Sequence, residues 1–191
     1  NNFFVEIIIA PAFSKGALDI FKNKKNLRVV EIHNLHDFKS DTSIRSIHGG
    51  LLLQQEDKIV LAPDTLKTVT QSTIDDSVTN TIGFGWSVLK YIKSNAILIA
   101  KDCATLSVGA GQVSRVDSVD IAISKLNGNL DGAILLSDAF FPFRDSIDKI
   151  ARSGIKTIVQ PGGSVKDDEV IDACNEFGIT MLFTGSRCFR H

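Results

Sequence analysis

The sequence predicts an α/β protein with a mixed, mainly parallel sheet covered by helices, preceded by a smaller α/β segment. Three observations predict it. Helical and strand patterns alternate through residues 76–191, the order that builds parallel sheets covered on both faces. Residues 96–100 and 105–108 read as paired strands around a turn at Lys101-Asp102, which makes the sheet mixed. Three turns that follow strands (109–115, 138–145 and 160–164) carry unusual residues, and open α/β sheets hold ligands at strand ends.

Hydrophobic residues make up 43% and charged residues 23% of the 191 positions, an ordinary globular balance able to bury a core. A net charge of −1 excludes a broad electrostatic surface for nucleic acid or anionic lipid, so any anion site is local. Cys103, Cys174 and Cys188 are far apart and form no CxxC pair. That argues against a zinc ribbon or a disulfide framework and for a reducing cytoplasmic setting. No apolar run approaches the ~20 residues that span a bilayer. Residues 3–12 are apolar but contain Glu6 and lack a basic leader, the pattern of a buried strand rather than a signal. The chain begins with Asn, as expected of a piece of a longer protein.

Taken in order, residues 3–9 form a β-branched and aromatic strand ended by Pro11. Glu6 interrupts it, and either faces solvent on an edge or faces a site. Ser14 caps a helix to about residue 23, with Ala17, Leu18 and Phe21 on one face. The basic Lys22-Asn-Lys-Lys25 is its solvated end. Residues 27–32 are a second strand, and 44–55 a strand or hairpin bent at Gly49-Gly50. His33, His36 and His48 lack metal-ligand spacing and read as surface or loop residues. The Ser/Thr-rich stretch 68–81 is the boundary candidate, dividing 1–75 from 76–191. Val78, Ile82, Trp86 and Leu89 then give a helix to about residue 92, where Gly83 and Gly85 mark close packing.

Gly109-Ala-Gly-Gln-Val-Ser-Arg115 opens a helix bearing Val116, Val119, Ile123 and Leu126. Such a turn offers backbone N–H groups and a partial positive charge to an anion, with Arg115 as a fixed fork. Equally, its glycines serve tight packing; the third glycine of GxGxxG is replaced by Ser114. The apolar strand 133–136 enters Asp138-Ala-Phe-Phe-Pro-Phe-Arg-Asp145, with three Phe in four residues. Exposed Phe costs free energy unless something flat covers it. The loop is either a core plug or a shelf for a planar ligand, with Arg144 and Asp145 as polar contacts. Its helix ends at Gly154, and 156–159 is a strand. In Gln160-Pro-Gly-Gly-Ser164, Ser164 reads as an N-cap with Asp167 at the third helical position. That helix carries Val170, Ile171, Cys174 and Phe177 and ends at Gly178; 180–183 is the last strand.

Several stretches together resemble a known family. They are Phe4-Val-Glu-Ile-Ile-Ile-Ala-Pro11, Lys24-Lys-Asn-Leu-Arg28, Ser94-Asn-Ala-Ile97, Val108-Gly-Ala-Gly-Gln-Val-Ser-Arg-Val-Asp-Ser118, Ser137-Asp-Ala-Phe-Phe-Pro-Phe-Arg-Asp145, Gln160-Pro-Gly-Gly-Ser164 and Arg187-Cys-Phe-Arg-His191. Their order is that of the bifunctional purine biosynthesis family, which joins AICAR transformylase to IMP cyclohydrolase, and the match covers nearly the whole chain.

The resemblance implies a cytidine-deaminase-like lobe for the second half. It lacks the HxE and PCxxC zinc motifs of deaminases, so no zinc is expected. Glu6, Asn95, Arg115, Phe140 and Arg187 are implied as contacts to AICAR. Val116, Asp145, Ser164 and Val165 are implied as contacts to 10-formyltetrahydrofolate. The implied reaction is formyl transfer to the 5-amino group of AICAR. The family's Lys-His pair, like its cyclohydrolase domain, is expected outside this chain, so no catalytic residue is assigned here. A homodimer is implied, and a potassium ion near Ser94-Asn95 and the C-terminus, with Ile92 standing where the animal pattern has a Thr. Two other classes stay open: a non-catalytic nucleotide-binding module, and a dimerisation half without binding of its own.

Overall fold

The structure is a computed structural model that describes residues 4–35, 42–55, 61, 65–74, 76–188 and 190. Phe3, His36, Phe189 and His191, which figure in the expectations above, lie outside the described residues. The chain forms two units, Asn1–Glu56 and Asp57–His191.

In the first unit, β1 (Ile7–Ala10) and β2 (Arg28–Glu31) pair in parallel, joined through α1 (Lys15–Phe21). Ser14 caps α1 as expected, its Oγ accepting from the Ala17 N–H at 3.2 Å. Lys22 follows the helix and pairs with Asp19 at 3.0 Å on the surface. β3 (Thr42–Ile47) and β4 (Gly50–Gln55) form an antiparallel hairpin. Its turn places Gly49 at φ +78°, a backbone conformation that glycine adopts at no steric cost.

In the second unit a six-stranded sheet runs β5 (Lys67–Thr68), β10 (Thr180–Phe183), β9 (Thr157–Gln160), β8 (Ile134–Ser137), β6 (Ile97–Lys101), β7 (Ala104–Gly109). Neighbours β8, β9 and β10 are parallel; β6 is antiparallel to both β7 and β8, and β5 to β10. The sheet is therefore mixed, as expected, but only its centre is parallel. The reason is local: the tight turn after β6 can only return an antiparallel partner. That turn holds Asp102 and Cys103 at positive φ.

Strand period 2 sorts side chains into two cores. Ile97, Ile99, Leu135, Ile158 and Met181 face one side. There they meet α3 (Arg115–Ser124), α4 (Asp145–Ser153) and α5 (Asp167–Glu176) through Val119, Ala122, Ile147, Ile150, Val170 and Ala173. Leu98, Ala100, Ile134, Leu136, Val159 and Leu182 face the other side, against Ile82, Trp86 and Leu89 of α2 (Thr79–Leu89). Helices thus cover both faces. Gly85 fits as expected, since a Cβ there would lie 2.7 Å from Leu136; Gly83 has nothing within 4 Å.

The division at 56/57 differs from the expected one at 75/76. Segment 65–74 is bound to β10: β5 pairs with it, Val69 N–H donates to the Met181 carbonyl, and Met181 N–H donates to Thr70 Oγ1 at 2.9 Å. Ser164 also departs from expectation. Lys166 occupies the N-cap position of α5, without a side-chain cap bond. Gly162 and Gly163 take φ +73° and +93°, delaying the helix; Ser164 Oγ instead accepts from Lys166 N–H at 3.1 Å. α2 ends at Leu89, short of the expected residue 92.

Candidate functional site

The strand directions bring five segments to one edge of the sheet. Parallel β8, β9 and β10 end there, β7 ends there, and antiparallel β6 begins there. Asn95 precedes β6, and the glycine turn follows β7. The aromatic loop follows β8, Gln160 closes β9, and Arg187 follows β10. A cleft of about 480 Å³ opens among them, lined by Asn95, Val113, Ser114, Arg115, Val116, Ala139, Phe140, Pro142, Phe143, Asp145, Ser146 and Arg187.

Each wall has a cause in the sequence. Gly109 lets α3 press against β7: a Cβ there would lie 1.9 Å from the Ser118 carbonyl oxygen. This is the close packing that the glycine turn was expected to serve. Ser114 Oγ caps α3 through the Asp117 N–H at 3.3 Å. The aromatic loop divides its three rings among three jobs. Phe141 is fully buried, its N–H donating to the buried Gln160 Oε1 at 2.9 Å. Phe140 is half-buried, with the Arg187 guanidinium 4.9 Å from its ring centroid. Phe143 is 57% exposed at the rim, and Val113 98%. Phe141 is thus the plug, while Phe140 and Phe143 stand in the cleft wall.

Beneath the cleft lies a buried polar network. Arg115 is 7% exposed and Asp138 1%. Arg115 Nη1 donates to Asp138 Oδ1 at 2.5 Å and to Ser137 Oγ at 2.8 Å, and Nη2 donates to Asn95 Oδ1 at 2.8 Å. Ser94 Oγ donates to Asp138 Oδ2 at 2.5 Å, and Asn95 Nδ2 donates to the Gln112 carbonyl at 3.0 Å. Both ends of the Asn95 amide are thus engaged within the protein, leaving one N–H and one lone pair for a ligand.

Of the nine candidate residues, Asn95, Arg115, Phe140, Arg187, Val116 and Asp145 line this one cleft. Ser164 and the fully exposed Val165 follow β9 and do not line it. Glu6 belongs to the first unit, where it is exposed and borders a separate cavity of about 500 Å³ with Lys24, Lys25 and Arg28. Arg144, expected as a ligand contact, turns away to Glu176 at 2.9 Å and Asp148 at 3.1 Å. Those hydrogen bonds, Glu176 first, push its pKa above the usual guanidinium value. Asp145 Oδ1 accepts from the Ser146 N–H at 2.7 Å. Among the described residues no three His, Cys, Asp or Glu side chains group as a metal site, and no helix is long and apolar enough to cross a membrane. Sequence reasoning assigned no role to Asp138 or Ser137; a charged residue abutting a fully apolar strand was the signal.

A cleft at converging strand ends, with an aromatic wall and a few polar groups fixed by second contacts, is the kind of place where α/β folds hold small ligands. A family model described as AICARFT/IMPCHase bienzyme matches residues 1–125. The chain is 47% identical to the bifunctional purine biosynthesis protein PurH of Rhodopirellula baltica over 98% of its length. It is 44% identical to that of Bacillus cytotoxicus over its whole length, and 48% to that of Streptococcus agalactiae over 98%. The chain belongs to the AICARFT/IMPCHase bienzyme family. It spans 37% of the length of each of these relatives.

Proposed function

We propose that this chain is the substrate-binding part of an AICAR transformylase acting in purine biosynthesis. It holds AICAR and 10-formyltetrahydrofolate for transfer of the formyl group to the 5-amino group. The observation that carries the reading is the single cleft uniting four expected nucleotide contacts, Asn95, Arg115, Phe140 and Arg187, with two expected folate contacts, Val116 and Asp145. Its volume of about 480 Å³ suits a nucleotide-sized ligand.

The chemistry follows from what the cleft offers. The amine of AICAR is a weak nucleophile, because its lone pair is delocalised into the ring and carboxamide. It attacks the formyl carbon, a tetrahedral adduct forms, and the bond from that carbon to the folate nitrogen breaks; the amine loses a proton and the folate nitrogen gains one. Among the described residues the lining contains no His, Lys or Cys, and Asp145 is its one carboxylate. This chain therefore orients the reactants, which can supply a large part of the rate, while proton transfer falls to the family's Lys-His pair outside it. Phe140 offers a ring face to the imidazole, and Arg115 and Asn95 offer the carboxamide their remaining N–H groups. Ser164 and Val165 are proposed as further folate contacts, Glu6 as a further AICAR contact, and the protein as a homodimer.

The second unit is proposed to be a cytidine-deaminase-like lobe, supported by its mixed sheet with one helix on one face and three on the other. A potassium ion is proposed beside Ser94. Its hydroxyl and the Arg190 carbonyl, which accepts from Ser94 N–H at 2.9 Å, are the oxygen donors a hard cation takes.

Calorimetric titration of the full-length protein with AICAR, then with the folate, tests the reading. Binding of both, with Phe140→Ala weakening AICAR, is expected. Nucleotide binding without folate binding would favour a regulatory module instead. A tight dimer that binds neither would favour a structural half.

A further inference from the structure

All four polar groups of Asn95 are met by one segment, the glycine turn and the start of α3. Its backbone N–H donates to the Gln112 carbonyl at 3.3 Å, and its Nδ2 to the same carbonyl at 3.0 Å. Its Oδ1 accepts from Arg115 Nη2 at 2.8 Å. Its carbonyl accepts from the Ser118 hydroxyl at 2.8 Å. Ser118 differs from the rest of this set. It is fully buried and does not line the cleft, so it has nothing to offer a ligand directly.

The direction of its hydroxyl is the telling feature. A serine inside a helix commonly bonds back to a carbonyl of its own helix. Ser87, Ser124 and Ser153 all do so, each to a carbonyl three or four residues earlier. Ser118 instead reaches a strand-end segment 23 residues away. It stands three residues after Arg115, so the two share a face of α3 and hold Asn95 together, one by the backbone and one by the side chain. The carbonyl of Ser118 also lies where α3 presses on β7, 1.9 Å from the position of a Gly109 Cβ. The helix is thereby seated against β7 through the backbone of Ser118 and tied to the segment before β6 through its side chain.

We infer that Ser118 is a positioning residue for amide recognition. From inside α3 it fixes the Asn95 backbone, and so aims the N–H and the lone pair that the Asn95 amide keeps for the carboxamide of AICAR. Without the hydroxyl the Asn95 carbonyl is released, the peptide plane can tilt, and the amide loses its direction. The inference rests on the reading of the cleft as an AICAR site.

The experiment is a double-mutant cycle in the full-length protein at constant potassium concentration. AICAR is titrated by calorimetry into wild type, Ser118→Ala, Asn95→Ala and the double variant, with a thermal melt of each. A displacement of about 1 Å at an orienting group can cost about a hundred-fold, so the partial release in Ser118→Ala should weaken AICAR by about ten-fold. Asn95→Ala keeps the carbonyl that Ser118 holds but removes the amide that it aims. In that background Ser118→Ala should change AICAR affinity by no more than about two-fold. A purely structural role would weaken AICAR by the same factor in both backgrounds; that result overturns the inference while the AICAR reading stands. Unchanged affinity in Ser118→Ala overturns it too, as does unchanged affinity in Asn95→Ala, which would leave no amide contact to aim. Should either alanine variant fail to fold, Ser118→Cys, a weaker donor of similar shape, or Asn95→Ser takes its place in the same cycle, judged by the same comparison. Wild type that does not bind AICAR overturns the AICAR reading and this inference with it.

Discussion

Gly109→Ala tests whether the cleft depends on how closely α3 lies against β7. An alanine Cβ at this position would sit 1.9 Å from the Ser118 carbonyl oxygen, 2.8 Å from its carbonyl carbon and 3.1 Å from its Cα. All three are backbone atoms of α3, so no side chain can swing aside. Ordinary contact begins near 3.4 Å, and α3 must therefore retreat by about 1.5 Å. Overpacking of this kind costs about 1–3 kcal/mol. At about 2–4 °C per kcal/mol for a chain of this size, the melting temperature should fall by about 2–12 °C. The same retreat carries Arg115, the first residue of α3, away from Asp138, which it meets at 2.5 Å. A displacement of about 1 Å at an orienting group can cost about a hundred-fold, so AICAR affinity should drop at least about ten-fold. Gly83→Ala is the matched control. It lies inside α2 with nothing within 4 Å of its Cβ position, and should raise the melting temperature, since Ala outranks Gly in a helix by about 1 kcal/mol. Calorimetry and thermal melts on the full-length protein read both effects. If Gly109→Ala melts within about 1 °C of wild type and binds AICAR equally well, the close approach does not hold the cleft, and the reasoning fails.

Three further outcomes are expected. Asp145→Asn keeps the Oδ1 acceptor for the Ser146 N–H, so the melt should fall by no more than about 4 °C; if Asp145 meets the folate, folate affinity should fall by about ten-fold with AICAR unchanged, and an unchanged folate titration makes it scaffold. Burial pushes the Cys174 thiol up to about 12 from 9.0, so the folded protein holds a proton that the unfolded chain releases above pH 9. Its contribution is complete below pH 9 and is lost as pH rises toward 12; melts at pH 7 and 10.5 should show a larger alkaline loss for wild type than for Cys174→Ala, and equal losses would contradict this. Gln160→Leu strands the buried Phe141 N–H at a cost of about 1–3 kcal/mol, and should raise the KM for AICAR through the loosened aromatic loop; a lowered melt with KM unmoved would separate Gln160 from the site.

The alternation of elements was legible because the inner strands β6 and β8 are buried on both faces and therefore read as nearly unbroken apolar runs. The helices were legible from side chains at helical spacing, such as Ile82, Trp86 and Leu89. Local signals failed where another local term competed. Ser164 has the residue type of an N-cap, but two glycines at positive φ precede it and the helix starts later. Arg144 looked like a ligand contact because it stands in the aromatic loop, yet Glu176, 32 residues on, claims it. The expected boundary shows the same limit: a weakly patterned Ser/Thr stretch gives no hint that its residues bond to β10 more than a hundred residues away.

The site divides along the same line. Its individual residues announce themselves through chemistry that a buried or solvated position would not select: an aromatic cluster after a strand, an arginine behind a glycine turn. What no local pattern contains is their convergence. Asn95, Arg115, Asp138 and Cys188 meet because β6 runs against β8 and so starts where β7, β8 and β10 end. Had the chain crossed over to a parallel β6, Asn95 would lie at the opposite edge, about 16 Å away for a five-residue strand, and Arg115 would lack the acceptor that fixes Nη2. The antiparallel pairing of β6 with β8 is thus what assembles the cleft. It also brings Asp138 to Arg115. Placed just after β8, its short carboxylate reaches the segments on both sides, Ser94 through one oxygen and Arg115 through the other.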